Sequence, residues 1–217
     1  MSQATSNLHQ TRLAKISQAR LYLVTSPHQQ ILEVVEAALK GGLSLVQYRD
    51  KDANDRARLE IAAQLCDLCH RYDAIFLIND RVDIVLAVGA DGVHVGQQDL
   101  PPDVARKILG TDYIIGQSTT SPAELEISLQ AGVDYVGVGP VFATPTKPGK
   151  AAAGFEYVSY AAQKLTMPWF AIGGIDANNL AEVITAGAKG TAVVRAIMQA
   201  ADPQAVTAKM LAQFKQD

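Results

Sequence analysis

The stretch IFLINDRVDIVLAVGADGVHVG, residues 75–96, decides the fold because it holds a complete strand–helix–strand unit. Two short apolar runs, IFLIND and GVHVG, flank a helical pattern, RVDIVLAVG. Near-continuous apolar strands are expected where a parallel sheet is covered on both faces. The helical pattern ends on Gly89, where glycine permits a left-handed turn. The stretch therefore predicts two parallel strands joined by a covering helix.

The same unit recurs along the chain. Helical patterns separate the apolar runs, and SPAE (residues 121–124) and DPQA (residues 202–205) begin two of them with a capping residue followed by proline. The apolar runs are RLYLVTS, SLVQYRD, IFLIND, GVHVG, YIIGQST, YVGVGPVF, WFAIGG and TAVVRA.

Eight strand–helix units with no linker-like break predict an α/β fold, a (β/α)8 TIM barrel in a single domain. We expect residues 1–19 to form a polar N-terminal tail and a leading helix, and residues 20–217 to form the barrel. An open doubly wound sheet is the alternative. Against it, no G-x-G-x-x-G follows the first strand, and no run has the weaker apolar character of an edge strand.

Composition and net charge limit the classes of partner that we expect the protein to bind. The chain has 217 residues and a net charge of −3, so it lacks the basic field on which non-specific nucleic-acid binding depends. No apolar run reaches the roughly 18 residues needed to cross a bilayer, and the first residues lack the apolar core of a secretory signal. We expect a cytoplasmic protein with small-molecule substrates and neither nucleic-acid nor membrane partners. A homo-oligomer is the base-rate expectation.

Cys66 and Cys69 form a C-x-x-C pair, which in some proteins is a redox or metal motif. Their apolar neighbours have helical spacing, and reduced cysteines commonly serve as small core residues. We therefore expect both to pack in the core.

Polar residues collect where the predicted strands end, while the strand starts hold little comparable chemistry. In a barrel of this kind the active site lies at the carboxyl ends of the strands. This asymmetry favours an enzyme or a ligand-binding protein, without identifying the reaction. The residues at the strand ends are Gln47, Arg49, Asp50, Lys51, Asn79, Asp80, His94, Gln97, Asp99, Gln117, Ser118, Thr119, Thr120, Thr144, Thr146, Lys147, Gly173, Gly174 and Arg195.

Cations follow the second strand. Gln47 and Arg49 share one strand face, because side chains alternate along a strand, and both can point into the barrel. Arginine offers a planar fork for phosphate oxygens, and the nearby Lys51 offers a mobile point charge. A solvated salt-bridge network with Asp50 and Asp52 is the alternative.

Two carboxylates follow the third and fourth strands. Neighbouring strands lie roughly 4.8 Å apart, so Asp80 and Asp99 can reach one point. Few carboxylates and no His/Cys cluster suit Mg²⁺, with a phosphate-rich ligand completing the octahedron. Asp80 could equally be the N-cap of the following helix, and spacing alone does not decide between these roles.

Glycines follow the seventh strand, and a short helix follows the eighth. Loops at these places form a phosphate site in many (β/α)8 barrels, with backbone N–H groups facing the phosphate. The stretch GPVFATPTKPGKAAAG, residues 139–154, lies between this region and the cationic one. Its threonines and Lys147 are therefore candidates for contacting two anionic groups.

Five motifs resemble, in order, those of the thiamine-phosphate synthase family: VQYRDK, INDRVDIVLAVGADGVHVGQQDLP, GVGPVFATPTK, AIGGI and AVVRAI. The resemblance runs from about Leu21 to Ile197. It implies a (β/α)8 barrel that needs Mg²⁺. The implied reaction couples 4-amino-2-methyl-5-(diphosphooxymethyl)pyrimidine to a thiazole phosphate or carboxyphosphate, giving thiamine phosphate and pyrophosphate.

The resemblance also implies residue roles. Catalytic roles fall on Arg49, Lys51, Ser118 and Lys147, and Asp80 and Asp99 would hold Mg²⁺. The pyrimidine diphosphate would be contacted by Gln47, Tyr48, Arg49, Asp50, Lys51, Asn79, Ser118 and Lys147. The thiazole phosphate would be contacted by Thr144, Pro145, Thr146, Gly174, Val194 and Arg195.

Arg195 departs from the family pattern, since many relatives carry serine there. Arginine could bind the same phosphate with a longer reach, or turn outward into a salt bridge. The alternative function is a thiazole tautomerase, or a non-synthase ligand-binding relative on the same barrel. A tautomerase needs a positioned general base, and we expect His94, the histidine nearest a strand end, to be a hydrogen-bonded barrel residue instead. A sugar-phosphate isomerase would have less use for a second cationic pocket.

Overall fold

The computed structural model describes residues 7–143 and 152–214. Within these residues, eight parallel strands form a closed barrel in sequence order, β1 to β8. The barrel closes where β8 pairs with β1, in the register Leu21↔Thr191 to Leu23↔Val193. The structure thus confirms the (β/α)8 barrel and rejects the open sheet.

The strands and helices alternate along the chain. The strands are β1 Leu21–Val24, β2 Leu45–Tyr48, β3 Ile75–Asn79, β4 Gly92–Val95, β5 Ile114–Thr119, β6 Tyr135–Val138, β7 Trp169–Ile172 and β8 Thr191–Val193. The helices are α1 Asn7–Gln18, α2 Ile31–Lys40, α3 Asp55–Arg71, α4 Val82–Val88, α5 Pro102–Leu109, α6 Pro122–Gln130, α7 Gly154–Lys164, α8 Leu180–Thr185, α9 Arg195–Met198 and α10 Pro203–Gln213. Among the described residues, no helix is long and apolar enough to span a membrane.

The helix ends follow the predicted capping chemistry. Ser121 Oγ accepts a hydrogen bond from the backbone N–H of Glu124 at 3.3 Å, and Asp202 Oδ1 accepts one from Ala205 at 2.9 Å. Helix α4 ends at Gly89, whose φ of 70° is left-handed. These local signals place the helix boundaries independently of packing.

Strand side chains form two apolar layers because they alternate in direction. The outer layer packs between the sheet and the helices, and it contains Cys66 and Cys69, both buried and without a disulfide. Burial raises the pKa of Cys66 to about 12, so its thiol stays protonated. The core role predicted for the cysteines is confirmed. The inner layer fills the barrel and consists of Ile16, Ala19, Tyr22, Val24, Leu45, Ile75, Leu77, Ile114, Tyr135, Phe170 and Ala192.

Helix α1 covers the end of the barrel where the strands begin. Its Ile16 is 1% exposed and belongs to the inner layer. Asp91, directly before β4, holds the helix in place: Oδ1 accepts from Arg12 Nε at 2.9 Å, and Oδ2 accepts from the backbone N–H of Phe76 at 2.8 Å. We call this carboxylate with its partners the first base clamp.

Asp134, directly before β6, repeats the arrangement as a second base clamp. Its Oδ1 lies 2.8 Å from His9 Nε2 on α1, and its Oδ2 accepts from Ile115 N at 2.7 Å and from Arg106 at 2.6 Å. The polar residues described at the strand starts thus include two carboxylates that fix α1 to the barrel, a structural role that the sequence analysis did not anticipate. The domain boundary between residues 19 and 20 stays a prediction, although α1 shares the barrel's core.

Candidate functional site

The end of β2 places its residues on two faces. Gln47 is 2% exposed inside the barrel, where its Nε2 donates to the Tyr22 hydroxyl. Arg49 follows on the same face by alternation, half-buried, with its backbone N–H donating to Thr25 Oγ1 at 3.0 Å. Tyr48 lies in the outer layer, and burial is the main cause that raises its pKa to about 12. The structure therefore does not bring the Tyr48 side chain to the barrel mouth.

Asp50 turns the chain toward α3. Its Oδ1 accepts hydrogen bonds from the backbone N–H groups of Asp52 and Ala53, each at 3.0 Å, and its carbonyl oxygen accepts from Arg58 Nε at 3.2 Å. In the described part of the chain, no ion pair joins Arg49 to Asp50 or Asp52. The alternative of a salt-bridge network at this strand end is therefore not what the structure shows, and Arg49 remains available to an anion.

Two carboxylates meet beside Lys51. Lys51 Nζ lies 3.2 Å from Asp80 Oδ2. Burial is the main cause that raises the pKa of Asp80; a hydrogen bond with Asp99 and the charge of Asp99 add to it, and Lys51 opposes them. Asp99 Oδ2 also accepts from Gly96 N at 2.8 Å. This is the close pair of carboxylates that the sequence predicts.

The backbone settles the alternative role of Asp80. The N-cap of α4 is Arg81, whose side chain makes no cap hydrogen bond, so Asp80 is not the cap. Asp80 has a φ of 63°, unusual for a residue with a side chain, and its N–H donates to His94 O at 2.9 Å. Such strain persists where surrounding structure enforces it and concentrates at functional sites.

The acidic pair fits a divalent cation that brings further ligands with it. A cation would relieve the repulsion that helps to raise the pKa of Asp80. Within residues 7–143 and 152–214, no cluster of three or more His, Cys, Asp or Glu side chains is present, so the protein supplies two carboxylates here and not a complete cage. That donor set suits Mg²⁺, which keeps waters and takes phosphate oxygens as ligands.

A cavity of about 360 Å³ opens on the other side of the barrel mouth, extending from Ser118 on β5 to the loops after β7 and β8. Gly173 and Gly174 line it, with φ angles of 109° and 68°. A Cβ atom on Gly173 would lie 2.5 Å from Pro140 Cβ, and one on Gly174 would lie 2.8 Å from Phe142 Cβ. Both positions therefore require glycine for conformation and for space.

Val194 and Arg195 form the opposite wall of this cavity, where β8 leads into the short helix α9. Arg195 is exposed. It forms no ion pair with any described carboxylate, so the outward salt bridge left open by the sequence is absent from that part of the chain. Its guanidinium is available to a ligand of the cavity.

Ser118 ends a hydrogen-bonded chain that crosses the barrel. Its Oγ lies 2.8 Å from His94 Nε2, and His94 Nδ1 lies 2.8 Å from Tyr135 Oη. The chain continues from Tyr135 to Tyr22 at 2.9 Å and from Tyr22 to Gln47. The prediction that His94 is a hydrogen-bonded barrel residue is confirmed. The tyrosines were missed because they stand in apolar runs; the available signal was that buried tyrosine hydroxyls usually find a partner.

Asn79 is half-buried at the end of β3, directly before Asp80 in the chain and paired in register with His94 of β4. The structure thus gathers Arg49, Lys51, Asn79, the acidic pair, Ser118, Gly174, Val194 and Arg195 at one mouth, and leaves Tyr48 outside it. Thr144, Pro145, Thr146 and Lys147 lie outside the described residues.

The fold and the site define a (β/α)8 barrel with a cavity at the carboxyl ends of its strands, a class in which phosphate-binding sites recur. The thiamine monophosphate synthase family matches residues 21–197. The chain is 60% identical over 212 residues to a thiamine-phosphate synthase of Thermosynechococcus vestitus, covering 98% of this chain. It is also 60% identical over 199 residues to one from a Nostoc species, covering 92%. The chain belongs to the thiamine monophosphate synthase family.

These two relatives are longer, since the chain spans 60% and 57% of their lengths. This chain also matches a solved structure, thiamine phosphate pyrophosphorylase from Pyrococcus furiosus, along almost the whole length of that protein. It superposes with a TM-score of 0.85 at 36% identity, covering 93% of this chain and 98% of that one. The chain is therefore comparable with this solved structure over most of its length.

Proposed function

We propose that the chain catalyses the coupling of 4-amino-2-methyl-5-(diphosphooxymethyl)pyrimidine with a thiazole phosphate or carboxyphosphate, giving thiamine phosphate and pyrophosphate. One observation carries the proposal: the cationic and acidic groups after β2 to β4 and the glycine-lined cavity after β7 and β8 open at the same mouth. Two substrates with separate anionic groups fit this arrangement. Membership of the family supports it.

The cationic side would act on the leaving group. As pyrophosphate departs it gains negative charge, so Arg49 and Lys51 stabilise the separated state more than the bound diphosphate. Lys147 joins them in this proposal, as do Gln47, Asn79 and Ser118 as contacts of the pyrimidine diphosphate. When bound at Asp80 and Asp99, Mg²⁺ would supply further positive charge to the diphosphate oxygens.

The cavity would orient the second substrate. Gly174, Val194 and Arg195 would bind the phosphate of the thiazole, with Thr144, Pro145 and Thr146 as further contacts. Binding that remote phosphate would hold the ring nitrogen against the electron-poor methylene carbon of the pyrimidine. Orientation of this kind replaces a bimolecular encounter by a step within one complex.

Among the described residues, His94 is not placed to act as the general base that a tautomerase needs, which disfavours that function. Both ring nitrogens of His94 have hydrogen-bond partners, and the residue is 8% exposed. A coupling that proceeds by departure of pyrophosphate needs neither a protein nucleophile nor a tuned base. A cytoplasmic location and small-molecule substrates without nucleic acid form part of this proposal, and a homo-oligomer remains its base-rate expectation.

The test mixes the purified chain with Mg²⁺ and both substrates, and measures thiamine phosphate and released pyrophosphate. We expect the two products in equal amounts, and a loss of activity on chelation that added Mg²⁺ restores. Asp80→Ala, Asp99→Ala and Lys147→Ala should each reduce turnover sharply. Asp103→Ala is the matched control, since Asp103 is an exposed carboxylate paired with Lys107 on α5. The absence of both products with the unaltered chain would refute the proposal.

A further inference from the structure

We propose that His94 is a positioning residue that sets the direction of the Ser118 hydroxyl, so that Ser118 presents its proton to the bound pyrimidine diphosphate. The inference concerns the buried chain from Gln47 through Tyr22, Tyr135 and His94 to Ser118, which we call the barrel relay. The identity of the ligand in this inference rests on the proposed function. The direction of the hydrogen bonds in the barrel relay does not.

The direction is set at the Gln47 end. The Gln47 amide nitrogen donates to the Tyr22 hydroxyl oxygen. A tyrosine hydroxyl carries a single proton. With this orientation of the Gln47 amide, the Tyr22 proton is the one that lies between Tyr22 Oη and Tyr135 Oη, which are 2.9 Å apart.

The same reasoning carries the direction to the cavity. Tyr135 accepts from Tyr22, so its own proton goes to His94 Nδ1 at 2.8 Å. A neutral imidazole that accepts at Nδ1 has its proton on Nε2, and Nε2 lies 2.8 Å from Ser118 Oγ. Ser118 then accepts from His94 and keeps its own proton for another partner. Because Ser118 lines the cavity, a hydrogen-bond acceptor of the bound ligand can take that proton.

The barrel makes specific room for the relay. A Cβ atom on Gly116 would lie 2.1 Å from Tyr135 Cε1, so the ring fits only beside glycine. Phe170 packs edge-on against Tyr22 and Tyr135, with ring centroids 5.2 Å and 5.9 Å apart, and holds both rings. Burial raises the pKa of both tyrosines, so each keeps its hydroxyl proton. Fully bonded polar groups in a core specify one arrangement.

The reverse direction is the competing arrangement. It would have the Gln47 side-chain oxygen accept from Tyr22, His94 protonated on Nδ1, and Ser118 donating to His94. Ser118 would then offer the cavity a lone pair instead of a proton. The two arrangements differ in the tautomer of His94, which can be observed directly.

The first test is the tautomer of His94 in the full chain, measured from the ¹⁵N shifts and one-bond and two-bond couplings of its imidazole ring. The chain has four histidines, so loss of one spin system in His94→Gln assigns the signal. We expect the Nε2–H form in the unaltered protein, and a mixture of tautomers in Tyr135→Phe. A predominant Nδ1–H form in the unaltered protein would overturn the inference. This measurement needs no substrate.

The second test is kinetic. Tyr135→Phe removes one link, and we expect the kcat of thiamine phosphate formation to fall by about three- to tenfold, as for loss of one hydrogen bond, with an unchanged KM for thiazole phosphate. Tyr157→Phe is the matched control. It also removes a buried hydroxyl, one that donates to Thr119 Oγ1 at 2.7 Å, but in the outer layer.

Equal kinetics of Tyr135→Phe and Tyr157→Phe would show that only stability had changed, and would overturn the inference. His94→Gln can place an amide nitrogen near the position of Nε2, so this variant should retain more activity than His94→Leu at matched thermal stability. Equal losses of activity in the two variants would also count against the inference. If the unaltered chain formed no thiamine phosphate, the proposed function would fail, whereas the tautomer would still decide the direction of the relay.

Discussion

Lys51 Nζ and Asp80 Oδ2 lie 3.2 Å apart, so a cation and a carboxylate that are proposed for different ligands partly neutralise one another. The neutralisation is incomplete, since burial and Asp99 still raise the pKa of Asp80. A divalent cation held by Asp80 and Asp99 would supply the positive charge that Lys51 supplies to Asp80. The lysine would then be released toward the diphosphate, so metal and substrate binding should assist each other.

Asp80→Asn should stabilise the metal-free protein while abolishing most activity. The pKa of Asp80 is higher in the folded protein than in the unfolded chain, so the fold favours the protonated carboxyl group. This favourable contribution to stability is complete at low pH and is lost as the pH rises through the folded-state pKa of Asp80. Asparagine keeps the neutral form at every pH and tolerates the positive φ. We expect a melting temperature about 1–3 °C higher at pH 7 and no gain at pH 3, by calorimetry in chelator.

Asp103→Asn serves as the comparison for this effect. Its pKa is lowered, chiefly by the hydrogen bond to Lys107, so neutralisation there should bring no gain. A lower melting temperature for Asp80→Asn at pH 7 would contradict the interpretation of the acidic pair.

Gly174→Ala should be more damaging than Gly89→Ala, although the two glycines have almost the same φ, 68° and 70°. A Cβ on Gly89 meets nothing within 4 Å, so its cost is the left-handed backbone alone, about 1–2 kcal/mol. At Gly174 the displacement of Phe142 adds about 1–3 kcal/mol. Urea denaturation measures both costs, and equal values would show that the cavity wall is not closely packed.

Arg195→Ser should raise the KM for thiazole phosphate by about ten- to a hundredfold with little change in kcat, as for loss of one charge-assisted hydrogen bond. The reason is that Arg195 lines the cavity. Arg20→Ser is the control, because Arg20 lies at the start of β1 and donates to Ser17 O at the opposite end of the barrel. An unchanged KM would remove Arg195 from the phosphate site.

Asp91→Ala should lower the free energy of unfolding by about 3 kcal/mol and leave kcat and KM unchanged. Removing one partner of a buried ion pair leaves the other charge uncompensated, and Arg12 and Asp91 have side chains only 12% and 10% exposed. Asp103→Ala removes an exposed pair, which water and salt screen, so it should cost much less. A cost at Asp91 no larger than at Asp103 would exclude the first base clamp as a stabilising contact.

The fold could be predicted because its information is local. Strand runs, proline–cap starts and glycine ends such as Gly89 appear in the sequence wherever the structure needs them. Alternation placed Gln47 and Arg49 on one face, but it could not show that Gln47 lies deep enough to bond Tyr22. Depth depends on the stagger of neighbouring strands, which no single run specifies.

Contacts between residues that are distant in sequence were less predictable, both at the base of the barrel and at the site. His9 and Asp134 are 125 residues apart, and neither stands in a motif. The metal role of Asp80 could not be separated from a cap by spacing, and a backbone angle removed the cap. Tyr48 was assigned with its neighbours by position, whereas alternation turns its side chain into the outer layer.

Helix α1 has a consequence for how the chain folds. It comes first among the described elements, yet Ile16 has no core to enter until β1 and β8 have paired. Its base clamps need Asp91 and Asp134, which arrive much later in the sequence. Contacts of such separation form late, because the intervening chain must be ordered first. The backbone amides of α1 should therefore become protected from hydrogen exchange only when the barrel closes during folding. Although α1 is the first described helix in the chain, it should be the last to gain this protection.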